Sequence, residues 1–403
     1  MFGYLCSRHL LLGKHRRTTL GFLPKNGFFI GKSFASVGLS ESNEKLEEKE
    51  PSFAVSYFIN YCGLSKKSAI LASQRVRFRT LEKPDSVLNF LKENAFTNTQ
   101  ISRLVKIEPR LLLSNPEKTL LPKIEFFRSM GASSSDLSRI LSSNPSLLIR
   151  SLEKHLIPCY DFLKSVLILD EKVVTVFKRS KWIFCMHNMV PNIALLRQVG
   201  VPQSTISFLI TNFPSTAFVK HTRFAEAIHE VKEMGYDPSK TVFVNAIHVL
   251  LSMSRPKLES KLEFYRRWGW SKDVALLAFK RHPNCMLLSD KKITKAMDFL
   301  VNKMGCSSTD IARNPTVLFF SLEKRIMPRC SVIQILIAKG LVKNDLSPST
   351  FILPGERGFL DKFVIKFEDG VPELRNVYKG KDGSFGCYNS VLEGMWGGKL
   401  VKS

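Results

Sequence analysis

Apolar residues recur along this chain at helical spacing, in blocks that end on glycine and restart on a hydroxyl. Between Pro122 and Pro158, the residues Ile124, Phe126, Phe127 and Met130 share a helical face and Gly131 follows. Ser133, Ser134 and Ser135 then open a second run through Leu137, Ile140 and Leu141, which Asn144-Pro145 closes before Leu147-Leu148. Glycine tolerates the left-handed conformation that ends a helix, and Ser or Asp oxygens accept the free amide bonds that begin one. The pattern predicts helix, glycine stop, hydroxyl start, helix and proline break.

The unit repeats. Glycines that close an apolar run stand at Gly63, Gly131, Gly200, Gly235, Gly269, Gly305 and Gly340, at spacings of 68, 69, 35, 34, 36 and 35 residues. The two long gaps are double periods, with vacant slots near Ala95 and Leu167. Two residues beyond these markers stand Ser65, Thr97, Ser133, Pro202, Asp237, Ser271 and Ser307, mostly good N-caps. A second ladder pairs proline with leucine-rich steps at Pro109, Pro145, Pro283 and Pro315. A third places Pro122, Pro158 and Pro328 inside helices that start at Asn115-Pro116, Ser151-Leu152 and Ser321-Leu322, where each proline should kink its helix. Three ladders in phase predict an all-α fold, a curved right-handed α-solenoid of about eight to nine helical repeats. Ser86 is expected to open the helix before Thr97. The segment from Gly305 to Pro315 is one helical turn shorter than its counterpart from Gly131 to Pro145.

The flanks differ. Residues 1–34 carry six basic side chains and no acid, with hydroxyl and apolar residues between them, the composition of an organellar transit peptide. Lys32-Ser-Phe-Ala-Ser36 resembles a plant-type mitochondrial processing site. The favoured address is the mitochondrion, with the chloroplast as alternative. Residues 35–50 form an acidic linker, 51–351 the repeat array, and 352–403 a glycine-rich tail that is either a cap or partly disordered. No apolar run has the length of a membrane span.

Charge then narrows the function. The N-terminal 34 residues (+6), the linker (−3) and the tail (+1) leave +21 of the total +25 on the repeats, a field that favours a polyanion. If repeats stack in register, Arg103, Lys106, Arg139, Lys178, Lys280 and Arg313 fall on one face of successive second helices. Arg179, Lys181 and Arg281 extend the same helix ends, and Lys324, Arg325 and Arg329 lie on a following first helix. Spaced so, they could neutralise successive phosphates without reading bases. A protein-interaction solenoid, such as a ribosome-assembly scaffold, is the competing reading. Trp268-Gly-Trp270 and Phe319-Phe320 sit in apolar register and read as core. The eight cysteines include no CxxC pair, and Cys159, Cys285 and Cys330 read as small core residues. Neither metal nor cofactor is expected. P-loop, GxGxxG and GxSxG motifs are missing, so no enzyme is expected either.

Taken together, these residues resemble the mitochondrial transcription termination factor (mTERF) family, whose motif is two antiparallel helices and a short third one with proline followed by leucines. The matching stretches run from Ile101 to Leu113, Leu137 to Ile149, Phe208 to Phe218, Ala275 to Leu288 and Asp310 to Phe320. The departures are Lys181 in place of proline, Thr216-Ala217 in place of Leu-Leu, and the missing proline in the repeat around Ala246. The resemblance implies a basic superhelix that binds double-stranded DNA in organelles, as a monomer, and regulates transcription initiation or termination. For some plant members it implies RNA processing and intron splicing instead.

Overall fold

A computed structural model describes residues 53–180 and 186–379, all within one compact unit that runs from Pro51 onward. Residues 1–34 and 35–50, expected to be a transit peptide and an acidic linker, lie outside the described residues, as do Lys181 and the chain beyond Lys379. Helices and turns account for the ordered elements, and the described residues contain no strand.

Among the described residues nine helical hairpins follow one another. The second helices, Lys66–Ser73, Asn98–Ile107, Ser134–Ser143, Asp170–Arg179, Gln203–Asn212, Thr241–Ser252, Lys272–Arg281, Ser308–Arg313 and Pro348–Ile352, form a single ladder in which each packs on the next. Their apolar faces are buried throughout, for example Leu104, Leu141, Val176, Leu209, Ile247, Phe279 and Ile311. Each repeat closes its core only against its neighbours, as a solenoid must. Ser308–Arg313 is the shortened second helix expected from the early Pro315.

The hairpin turns explain the glycine ladder. All seven marker glycines have φ between 66 and 87°, and the two vacant slots are filled by Ala95 (φ 63°) and Ile168 (φ 69°), the two described non-glycine residues with positive φ. At Gly131 the helix ends in paired bonds, from the Ala132 N–H to the Phe127 carbonyl (3.1 Å) and from the Gly131 N–H to the Arg128 carbonyl (2.9 Å). Phe96 with Leu91 and Trp270 with Tyr265 repeat the longer of these bonds. In six of the turns the residue after the marker is apolar and buried (Leu64, Phe96, Ala132, Val201, Tyr236, Trp270) and locks the turn to the core, while Cys306 is half-buried and Leu341 exposed. Ile168 departs from this pattern. Its ψ of −44° and the Leu169 N–H to Leu167 carbonyl bond of 2.8 Å make a three-residue turn that is strained for a β-branched side chain. Asp170 braces that turn, accepting from Tyr160 Oη (2.8 Å) and Lys164 Nζ (2.7 Å).

Side-chain caps occur where expected at Ser65, Thr97, Ser133 and Ser271, and Thr97 forms a reciprocal capping box with Gln100. Asp237 differs: it accepts from Ser239 in the turn, and the helix starts later, at Thr241. The helix assigned to Ser86 begins at Glu82. In the first helices, Pro122, Pro158 and Pro328 follow a widened π turn. There the amides of Leu121, Ile157 and Met327 donate to Pro116, Leu152 and Leu322, five residues back. A ring in an ordinary α turn would strike the carbonyl four residues earlier and leave it without a donor. Widening the turn absorbs the proline instead. The C-terminal segment to Lys379 is a cap: Leu374–Lys379 packs on Met327–Ala338 and buries Leu374 and Val377.

Relief of the strained turn should raise stability. Ile168→Gly is expected to stabilise by about 1 kcal/mol, because glycine carries no penalty at positive φ and Ile168 is 68% exposed. Ala95→Gly should stabilise by less and Gly131→Ala should destabilise by about 1 kcal/mol. Urea midpoints of the three variants check the order.

Candidate nucleic-acid interface

Nine lysine and arginine side chains on the repeats are used inside the fold, bonded to backbone carbonyls. In six repeats, carbonyls at the end of the second helix or of the short third element lack a helix bond, and a donor from the first helix of the same repeat reaches them. Lys123 Nζ donates to the Leu148 carbonyl, and Asn192 Nδ2 to those of Ala217 (3.0 Å) and Val219 (2.8 Å). Arg223 reaches Leu251 (3.1 Å), Lys261 reaches Leu288 (2.8 Å) and Lys292 reaches Phe319 (2.6 Å). Arg325 donates to Ile352, Leu353 and Pro354, and Arg329 to Phe351, Ile352 and Pro354. These donors occupy two positions one turn apart on the same helix face. Burial lowers the Lys123 pKa below the ordinary lysine value, the mark of a cation held for its donors and not for solvent.

A second set of donors ties neighbouring second helices. Arg75 donates to the Ile107 carbonyl (2.7 Å), Arg179 to Thr211 (3.0 Å) and Arg281 to Arg313 (2.9 Å), each reaching the C-terminal end of the next helix in the ladder. The structure therefore sorts the twelve sequence candidates. Arg325 stacks over the Phe320 ring at 4.0 Å, and Arg329 is wholly buried against Phe359 with Glu356 beside it. Arg329 is withdrawn from any surface track: its guanidinium holds the C-terminal cap. Arg179 and Arg281 remain exposed while they staple. Lys181 lies outside the described residues.

The remaining candidates share the second-helix ladder. Asp136 joins two repeats, accepting from Arg139 (3.2 Å) on its own helix and Lys178 (2.7 Å) on the next. The Lys178 bond, chiefly, and the Ser133 hydroxyl hold the Asp136 carboxyl below the usual carboxylate range. Asp310 repeats only the own-helix half of this arrangement, with Arg313 (2.8 Å). Arg103, Lys106 and Lys280 on the ladder, and Lys324 at the start of a first helix, are exposed. Their side chains make no ion pair or hydrogen bond among the described residues. The carbonyl-capping role of Lys123, Arg223, Lys261 and Lys292 was missed from sequence. For Lys123, Lys261 and Lys292 its signal was there: a long donor 25 to 27 residues before the end of a proline-led element.

The aromatic pairs are structural. Trp270 is buried, stacks on Tyr265 at 4.3 Å and donates to Ser308. Cys159, Cys285 and Cys330 are buried, and burial raises each thiol pKa. Among the described residues no group of three His, Cys, Asp or Glu could hold a metal ion, and no helix is long and apolar enough to cross a membrane.

These features define a class: an α-solenoid of helical hairpins, five of which among the described residues are followed by a short proline-led element. The mTERF family model matches residues 88–274 and 241–354, and the chain belongs to that family. The chain is also similar to "Transcription termination factor MTERF15, mitochondrial" of Arabidopsis thaliana, 26% identical over 136 residues. That match covers 34% of this chain and 29% of the relative.

Two stability measurements separate internal from surface cations. Arg329→Met should cost about 3 kcal/mol, because the Phe351 carbonyl loses its side-chain donor and those of Ile352 and Pro354 keep only Arg325, while Lys324→Ala should stay within about 0.5 kcal/mol of the parent. Thermal unfolding reads both.

A pH effect follows from His248. It stacks on Phe213 at 3.9 Å and bonds Thr216 Oγ1 at 2.7 Å through Nδ1, and burial lowers its pKa from 6.5 to about 4. The unfolded chain therefore takes up the proton first, and this site's contribution is lost as pH falls from 6.5 towards 4, by about 2 kcal/mol. His248→Asn should flatten that part of the pH–stability curve, measured by urea titration at neutral pH and near pH 4.5.

Proposed function

We propose that this chain is a mitochondrial nucleic-acid-binding regulator that grips double-stranded DNA along the exposed face of the second-helix ladder and acts on transcription, in termination or initiation. One observation carries the reading. Helices distant in sequence stack so that Arg103, Lys106, Arg139, Lys178, Lys280 and Arg313 fall on one ladder, and three of the six have no partner among the described residues. Contacts of this kind fix position on a phosphate backbone and carry no base information themselves. Family membership and the mitochondrial termination factor among its relatives support the address and the process. The protein works as a monomer on its nucleic acid, with a transit peptide over residues 1–34 and a linker over residues 35–50.

Fluorescence anisotropy with a labelled duplex and a structured RNA tests this. Affinity for the duplex should fall steeply between about 50 and 200 mM salt, and replacing Arg103, Lys106, Arg139 and Lys280 by alanine should reduce the log–log salt slope by about 3 to 4. Tighter binding of the RNA at equal salt would assign the chain to RNA processing. Absence of binding to either at low salt would leave only a scaffold.

A further inference from the structure

A cleft of about 260 Å³ opens between the first helices of the last two repeats. One wall is Lys291, Lys292 and Lys295 from Asp290–Met297, and the other is Phe320, Ser321 and Glu323 at the next helix start. Lys292 is fixed by its bond to the Phe319 carbonyl, which sets this helix against the third element of its repeat. Lys291 and Lys295, exposed and one turn apart, are like charges on one face, an arrangement that is unfavourable without an anion between them. Nearby Asp290 is already engaged by Lys261 of the preceding repeat. Glu323 is the one carboxylate in the lining; its own backbone amide, the Ser321 hydroxyl and the charge of Lys295 hold its pKa down. Three lysines against one glutamate leave the lining net positive, in a space that holds a phosphate group and several waters.

We propose that this cleft takes one or two backbone phosphates of the bound nucleic acid, outside the second-helix face described above; the assignment rests on the nucleic-acid reading. Each proline-led element joins the end of a second helix to the start of the next first helix, so both ends lie along one edge of the array. Lys280 and Arg281 end the second helix that precedes this cleft by one such element. A strand held by them would continue to Lys291 and Lys295. Lysine ammoniums on flexible stems suit a phosphodiester as point charges and read no base.

The test compares Lys291→Ala/Lys295→Ala with Lys303→Ala, an exposed lysine on the same repeat outside the cleft. The double variant should raise the duplex Kd about tenfold near 100 mM salt and reduce the salt slope by about 2, and Lys303→Ala should change neither. Amine-reactive footprinting should show Lys291 and Lys295 protected by duplex and not by millimolar inorganic pyrophosphate. If the parent binds but the double variant keeps its Kd and slope, or Lys303→Ala has half the effect of the double variant, the cleft assignment falls and the nucleic-acid reading stands. If pyrophosphate alone protects both lysines equally, the cleft is a site for a free phosphate and not for the backbone. If the parent binds no nucleic acid at low salt, both readings fall.

Discussion

In six repeats of the described array the carbonyls that close the second helix or the short element after it lack a helix donor, and satisfying them is the constraint on which the remaining structure depends. A carbonyl buried without a donor costs about 1 to 3 kcal/mol, and the cost recurs in each of these repeats. The chain meets it with side-chain donors from the first helix of the same repeat: Lys123, Asn192, Arg223, Lys261, Lys292, and the pair Arg325 and Arg329. Arg75, Arg179 and Arg281 do the same between second helices. Cations suit the task because one long side chain brings several donors to carbonyls converging from different residues. A good part of the basic composition of the repeats is therefore a consequence of repeat architecture, before any ligand is considered.

The other recurrent device is local. A positive-φ residue reverses the chain, and in six of the turns an apolar side chain just after it enters the core. A π turn before proline lets the first helix start early and still accommodate a ring. Both keep each hairpin the same shape, so that second helices can stack in register, and register is what converts scattered charges into a line.

The repeat length, the hairpin turns and most caps were legible in the sequence because each depends on one residue type at one place: Gly131, Ser133, Pro145. The vacant slots were legible too, since Ala95 and Ile168 keep the period although neither residue announces positive φ. Two things were not. Pro122, Pro158 and Pro328 signalled a kink, but the backbone widened by one residue instead, a choice that depends on what the freed carbonyl can reach. Arg325 and Arg329 read as surface charge because nothing local reveals that Phe351 to Pro354 return to meet them; that contact spans 22 to 29 residues. A cation in a helix pattern looks the same whether its partner is a carbonyl, a carboxylate or a phosphate.

That ambiguity sharpens the functional reading. Once the stapled and buried cations are set aside, the positive charge available to a ligand is smaller than the composition implies and better placed. Asp136 holds Arg139 and Lys178 from adjacent repeats at one point, which fixes the spacing between successive helices of the ladder and orients both side chains in advance. An ordered cation loses less entropy when a phosphate arrives. The carboxylate that lowers the net charge at this point also orders the surface; on the proposed reading, a track of paired cations (Arg139, Lys178, Arg313) and unpaired ones (Arg103, Lys106, Lys280) would follow a phosphate backbone while the fold keeps its own ends satisfied.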